Sequence, residues 1–472
     1  MQFTNMIATV GPSCKTPEIL DELMESGVGI FRFNFSHGTY ASQQESIEMV
    51  RAAAEKRNHR AAILLDTKGP EIRTADLKDP AELEKDGEVI LTVEHGTYEE
   101  NGKIQVNYDD FVGDVSVGDK ILIDNGTINF LVESKTETDV VCKILDGGTL
   151  KSRRHINLPG VDPSLATITK KDWEDIAFGV KQGVDFIALS FVRSSAAVEE
   201  LRDYLKKEGA EHIKIIAKIE SYEATQNLEG IIRSADGAMV ARGDLGAEVP
   251  FAQVPALQQE IVRLSIFYRK PVIVATHMLE SMIEHPIPTR AEVNDIALAV
   301  WQRADCIMMS GETASGKYPI KSAQAMGSVV REIEKDFAFQ ETHLEVEVES
   351  DKVNFAQMAA QMVKDADDLA CIVVISRSGN MARNVAAFRP ALPIVVCTSG
   401  DAISRQMEMV WGCHGITIEF DSEVPEHTVI MAETAILKEQ KNLQGSKYLL
   451  VSEFKEGERF VPTLQVRTLD GV

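Results

Sequence analysis

The chain is short of several things, and each shortage removes a class of function. Only six cysteines (Cys14, Cys142, Cys306, Cys371, Cys397 and Cys413) are scattered through 472 residues, with no paired spacing. That pattern suits neither a thiolate metal site nor a disulfide framework; it is the usage of reduced thiols in the cytosol. Basic residues are the minority, with 49 Lys and Arg against 73 Asp and Glu and a formal net charge of -24. Nucleic acids and anionic membranes are held through clustered cations, so neither is an expected partner. No apolar run approaches the ~18 residues of a membrane span, and no N-terminal stretch has the pattern of a signal peptide, so a cytoplasmic location is expected. A Gly-rich dinucleotide turn after the first apolar run is also missing, which weighs against an open doubly wound sheet while leaving it as the competing architecture.

What is present is a repeated unit. Apolar runs at FTNMIATVG (3 to 11), IFRFNFS (30 to 36), AAILLDTKG (61 to 69), FIALSFV (186 to 192), IKIIA (from 213), GAMVA (237 to 241), PVIVATHM (271 to 278) and CIMMSGE (306 to 312) have the character of buried parallel strands. Most precede a stretch of helical periodicity, such as PEILDELMESG or AAVEELRDYLKKEG. Eight such units predict an α/β fold, a closed (β/α)8 TIM barrel. Between the third and fourth runs lie GEVILTV, KIQVNY, KILIDNG, TINFLVES and DVVCKIL, short alternating segments with Asn-Gly and Gly-Gly turns. They predict a small all-β lid domain inserted in a barrel loop. After an acidic stretch, CIVVIS, PIVVCTS and YLLVSE predict a C-terminal open-sheet α/β domain. The expected division is a barrel of 1–70 and 168–336, a lid of 71–167 and a C-terminal domain of 337–472, in keeping with a soft prior of roughly three domains for this length.

Charge gathers where the strands end. Two neighbouring runs stop at Lys218-Ile219-Glu220 and at Arg242-Gly243-Asp244. The C-terminal strand ends of a barrel form its active-site face, so a lysine and two carboxylates there point to a cationic catalyst beside a divalent-metal site, with a structural ion pair as the plainer alternative. Strand alternation puts Lys218 and Glu220 on one face. Arg32, Lys68, Arg73 and Lys218 supply local cations for an anionic substrate despite the acidic total.

Taken in order, ATVGP (8 to 12), RFNFSHG (32 to 38), LLDTKGPEIRT (65 to 74), NLPG (157 to 160), AKIES (217 to 221), MVARGDLGAE (239 to 248), ATHMLESM (275 to 282), PTRAEV (288 to 293) and MSGETASGKYP (309 to 319) give the chain a close resemblance to pyruvate kinases. The resemblance implies phosphoryl transfer from phosphoenolpyruvate to ADP, giving pyruvate and ATP, with Mg²⁺ or Mn²⁺ and with K⁺. It implies that Lys218, Arg32 and Thr276 are catalytic, that Gly243 and Asp244 join them in binding substrate, and that Glu220 and Asp244 hold the divalent ion. Arg73, Arg154, Asn34 and His37 match nucleotide-binding positions, and Asn34, Ser36, Asp66 and Thr67 match K⁺ ligands. Glu71 matches the potassium-dependent branch, in which an anionic pocket is left for the ion. By the same resemblance the chain forms a homotetramer, and Ser376, Ser378 and Gly379 match a loop that holds a phosphorylated allosteric effector.

Departures from the family pattern fall at His277, at Arg154-His155, at Asp124-Asn125-Gly126, at Leu298 to Arg303 and at Met381, where a hydroxyl donor is usual. Two rival readings are a different barrel enzyme acting on phosphoenolpyruvate or pyruvate, which needs no nucleotide lid, and a catalytically silent regulatory paralogue, which loses its lysine or metal ligands. The NLPG-bearing insert and the presence of Lys218, Glu220, Asp244, Arg32 and Thr276 speak against them.

Overall fold

The computed structural model describes residues 2–96, 102–124, 126–161, 163–335, 344–366, 368–421, 423–456 and 459–470. Eight parallel strands close into one barrel: Asn5–Thr9, Val28–Asn34, Ala62–Asp66, Phe186–Leu189, Lys214–Ile219, Gly237–Ala241, Val272–Ala275 and Cys306–Met309. Each pairs with its neighbours in sequence, and the first closes on the eighth through Asn5 opposite Cys306. All eight expected runs are therefore barrel strands, and the open-sheet alternative falls away.

Both faces of these strands are buried, which is why they read as unbroken apolar runs. Ile7, Ile30, Leu64, Ile216, Met239, Ile273 and Met308 fill the barrel interior. Alternate residues such as Met6, Phe31, Ile63, Ile187, Ile215 and Val240 pack outward in the core beneath the helices. Local signals bound those helices. In Lys170–Gln182, Thr169 and Asp172 form a reciprocal capping box, and Gly183 ends the helix at φ 59°.

The lid leaves the barrel after the third strand and has its own apolar core around Leu91, Phe111, Phe130 and Val132. Its main sheet has six strands in the order Ile156–Asn157, Lys120–Ile123, Ile128–Lys135, Asp139–Asp146, Glu88–Thr92, Lys103–Gln105, and Ala81–Leu83 pairs separately with Gly148–Leu150. Three of these eight strands went unanticipated, because two or three residues cannot display an alternating pattern. The glycine pair at 147 and 148 has a steric reason, since a Cβ on Gly147 would lie 2.1 Å from the Leu83 carbonyl oxygen. Asn125 lies outside the described residues, as does the expected domain boundary near Asp336.

The C-terminal sheet has five strands where three were expected, ordered Cys413–Thr417, Ile394–Thr398, Leu369–Ile375, Lys447–Glu456, Arg459–Thr468, with the last antiparallel. This domain docks against the N-terminal mouth of the barrel, away from the strand ends that carry the charge. Met409 joins the barrel's interior core. Asp305 accepts from the Trp411 amide at 2.9 Å and from Arg389 at 2.7 Å, and Arg405 pairs with Asp185 at 3.0 Å. Among the described residues no helix is long and apolar enough to cross a membrane.

Candidate active site

Six strand ends converge at the opposite mouth. The second strand brings Arg32 and Asn34, and the register sets Asn34 opposite Asp66 at the end of the third. Ser190 follows the fourth strand directly, Lys218 and Glu220 end the fifth, the helix Arg242–Glu248 follows the sixth, and Thr276 follows the seventh.

At the centre is the Lys218 ammonium. It lies 2.7 Å from Ser190 Oγ, 3.1 Å from Asp66 Oδ1 and 3.3 Å from Glu220 Oε2. Burial by itself pulls its pKa down, but Asp66 and Glu220 outweigh that and hold it above the usual lysine value. Lys218 is thus a permanent cation rather than a proton donor or acceptor near neutral pH. Asp66, fully buried, also takes the Arg32 guanidinium at 2.6 Å. Burial acts to raise the Asp66 pKa, yet Lys218 and Arg32 bring it below the ordinary range. Arg32 donates in addition to Thr9 Oγ1 at 3.0 Å. Two cations are therefore fixed side by side on one carboxylate.

Glu220 behaves differently. Burial pushes its carboxyl up to about 7, Lys218 opposes that, and the charges of Asp244 and Asp66 add to the rise. Oε1 accepts the Phe191 amide at 2.8 Å, whereas Oε2 is buried, accepts no hydrogen bond among the described residues, and has the Lys218 ammonium 3.3 Å away as its ionic neighbour. A buried carboxyl oxygen that accepts no hydrogen bond, beside a second carboxylate, is a fit seat for a hard cation. Among the described residues no group of three or more His, Cys, Asp or Glu could hold a metal.

Backbone strain concentrates here. Phe191, Thr276 and His277 have φ of 50°, 69° and 54°, and for a β-branched threonine this is a genuine outlier. The geometry at 276 lets Thr276 Oγ1 accept from the Gly243 amide at 2.8 Å and donate to the Ala275 carbonyl at 2.6 Å. Arg242 ties the same turn down by donating to the carbonyls of Ala275 and Thr276, and Asp295 anchors Arg242 at 2.6 Å.

Several of the remaining expected residues form a second group at the lid hinge. Arg73 is not free: its guanidinium grips both oxygens of Glu71 at 2.8 Å, and Lys68 lies 3.5 Å from the same carboxylate. Glu71 is thus neutralised by its neighbour two residues on, which an extended backbone places on the same side. Arg154 pairs with Asp124 at 3.2 Å. His155 sets its ring 3.8 Å from Asp244, and burial lowers its pKa. Asn157 donates to Glu248 at 2.7 Å, closing the lid onto the barrel. Asn34 accepts the Ser36 amide at 3.0 Å, and His37 is exposed. Thr67 Oγ1 accepts the Ser190 amide at 3.0 Å.

Ser376, Ser378 and Gly379 lie in the C-terminal domain, apart from this site. Gly379 takes φ 73° to open the helix Asn380–Ala387, and Met381 is buried in the domain core beside Met407. The methionine has therefore traded a hydroxyl for packing. Ser190 and Asp295 escaped the sequence reading. The first stood within FIALSFV as one more strand residue, and its signal was a small polar side chain at the strand's charged end.

The comparisons with known proteins point to one family. The family model described as pyruvate kinase, barrel domain, matches residues 1–323, and the one described as pyruvate kinase, alpha/beta domain, matches 354–466. The chain is 43% identical over 451 residues to plastidial pyruvate kinase 2 of Arabidopsis thaliana, covering 95% of this chain and 77% of that one. It is 41% identical over 419 residues to a pyruvate kinase of Geobacillus stearothermophilus, covering 87% and 71%. The crystal structure of a pyruvate kinase from Cryptosporidium parvum superimposes with a TM-score of 0.91 at 32% identity, over 99% of this chain and 96% of that one. The chain belongs to the pyruvate kinase family, whose members are metal-dependent, and transfers the phosphoryl group of phosphoenolpyruvate to ADP.

Proposed function

We propose that Lys218 is the cation that meets the phosphoryl group in flight and the enolate it leaves behind. The observation that carries this is its ammonium, buried and pinned between Ser190, Asp66 and Glu220. Phosphoryl transfer spreads negative charge over oxygens in a loose transition state, so catalysis is chiefly positioning and charge neutralisation. A fixed, always-charged lysine answers both needs. Arg32, held by Asp66, offers the phosphoryl oxygens a planar fork beside it.

Glu220 and Asp244 would hold Mg²⁺ or Mn²⁺, the seat being Glu220 Oε2, which accepts no hydrogen bond among the described residues. A divalent ion there supplies charge neutralisation on the substrate oxygens. Asn34, Ser36, Asp66 and Thr67 each offer a side-chain oxygen at two adjacent strand ends, a donor set that suits K⁺. Gly243 and Asp244 border the substrate carboxylate, and Thr276, with one lone pair to spare, orders the water that delivers a proton to the enolate carbon. Arg73 and Arg154 on the lid, together with Asn34 and His37, receive the nucleotide, and lid closure excludes water from the transfer.

The division into a barrel (1–70 and 168–336), a lid (71–167) and a C-terminal domain (337–472) belongs to the same reading. So do a homotetramer, a phosphorylated effector at Ser376, Ser378 and Gly379, and a cytoplasmic setting in which the six cysteines, all buried and free, stay reduced. A coupled lactate dehydrogenase assay with phosphoenolpyruvate, ADP, Mg²⁺ and K⁺ tests the reading. ADP-dependent pyruvate release that needs Lys218 is expected. Release independent of ADP, or none at all, contradicts it and favours another barrel enzyme or a silent paralogue respectively.

A further inference from the structure

The lid meets the barrel across a crevice of about 50 Å³. That volume holds a few waters and no organic ligand, so the crevice acts through its own walls. Most of the wall is apolar: Ile72, Ile156, Leu158 and Leu165 on the lid side face Phe191 after the fourth barrel strand. Apolar contact is non-directional and holds two surfaces together without fixing how they slide. One directional bond crosses it. Asn157, 2% exposed in the edge strand Ile156–Asn157, donates through Nδ2 to Glu248 Oε1 at 2.7 Å.

Two features of this pair do not fit an amide resting on a carboxylate. Asn157 Oδ1 is buried and has no hydrogen-bond partner among the described residues, although a buried carbonyl oxygen left unpaired is costly. Burial pushes the Glu248 carboxyl up to about 7, Asn157 and the Tyr222 amide oppose that, and the charges of Glu223 and Asp244 add to the rise. Of the other ionisable groups lining the crevice, Arg193 donates to the carbonyls of Pro163 and Leu165, and His155 faces Asp244 at 3.8 Å. A proton on Glu248 resolves both features. It removes a poorly solvated charge, and it supplies the donor that Asn157 Oδ1 lacks.

We propose that Asn157 and a protonated Glu248 form the latch of the lid, an amide facing a neutral carboxylic acid with one hydrogen bond running each way, and that both are positioning residues for the nucleotide side of the reaction. Glu248 ends the helix Arg242–Glu248, whose first turn carries Gly243 and Asp244. Asn157 lies three residues beyond Arg154, and its neighbour Ile156 donates its amide to the Ile72 carbonyl, next to Arg73, at 2.8 Å. The latch therefore sets the cations of the lid at one position relative to the strand ends. Because the Glu248 carboxyl in the closed lid sits above its ordinary 4.5, closure takes up a proton; the paired form is complete at lower pH and loses its second bond as pH rises through about 7.

The latch itself needs no nucleotide, whereas its kinetic consequence rests on the reading that the lid receives ADP, so lid position and activity are measured separately. Hydrogen exchange of the ligand-free full chain, followed by mass spectrometry of peptides covering residues 154–161, reads the latch. At about pH 6, Asn157→Ala and Glu248→Ala should each speed exchange there several-fold, and Glu248→Gln, whose amide reproduces both bonds, should not. At about pH 8 the unmodified chain should exchange about threefold or more faster than Glu248→Gln measured at the same pH. In coupled assays KM for ADP should rise about three- to tenfold in the alanine variants and stay near the unmodified value in Glu248→Gln. The alanine variants come from the lid and from the barrel, and each is first checked for a cooperative melt, so one that fails to fold leaves the other to decide. Unchanged exchange in the folded alanine variants, exchange in Glu248→Gln as fast as in Glu248→Ala at the lower pH, or no difference between Glu248→Gln and the unmodified chain at the higher pH would each overturn the latch. Faster exchange with an unchanged KM for ADP would uphold the latch and overturn its role in placing the nucleotide.

Discussion

Ser190→Ala removes one oxygen from the inner wall of the site and nothing else. That oxygen accepts from Lys218 Nζ at 2.7 Å and donates to the Thr67 carbonyl at 2.7 Å, so it joins the cation to the turn after the third strand. A hydrogen bond to a charged group contributes about 1.5–3 kcal/mol. Asp66 and Glu220 still hold the ammonium by charge at 3.1 and 3.3 Å, which limits the loss to the lower end of that range. At about 1.4 kcal/mol per factor of ten in rate, kcat should fall about tenfold. Because Ser190 positions Lys218 and does not touch substrate, KM for phosphoenolpyruvate should change little, and Ser190→Thr, which keeps the hydroxyl, should recover part of the loss. The coupled assay under saturating substrates measures this. An unchanged kcat in Ser190→Ala, or a loss wholly in KM, would refute the positioning role.

Other consequences are equally open to measurement. Glu220→Gln and Asp244→Asn should each weaken activation in a Mg²⁺ titration, and unchanged curves in both would remove the assigned ligands. Replacing K⁺ by a large organic cation at equal ionic strength should strongly lower the rate, and equal rates would sink the K⁺ site. Glu408, fully buried where the C-terminal domain meets the barrel, is pushed up to about 7 by burial, with His414 and Arg60 acting the other way. Its folded value lies above its unfolded value of about 4.5, so the fold favours the protonated form and loses stability as pH rises through that window. The cost is about 3 kcal/mol at most. Glu408→Gln should therefore raise Tm at about pH 8 and leave it nearly unchanged near pH 5, and identical shifts at both would show that the charge costs nothing.

The barrel was legible because burial on both faces leaves continuous apolar runs, and because charge at one end of each run marks the mouth where chemistry can occur. Lys218 and Glu220 could be put on one face by alternation alone, as their 3.3 Å contact bears out. Short strands were not legible: Ile156–Asn157 and Gly148–Leu150 exist only through their partners. Nor were pairings set by tertiary contact. Glu71 reads in sequence as an open anionic pocket, yet Arg73 occupies both its oxygens. Met381 reads as a lost phosphate donor, and its reason is a buried packing position that only the fold defines.

The central claim is that Lys218 neutralises charge as the phosphoryl group moves. Steady-state kinetics of Lys218→Met test it most directly, after a cooperative melt has shown that the variant folds. The account predicts that kcat falls by about 10³ or more while KM for phosphoenolpyruvate and ADP changes little, because the interaction matures only in the transition state. A kcat close to that of the unmodified chain would contradict it and leave Lys218 as a structural ion pair.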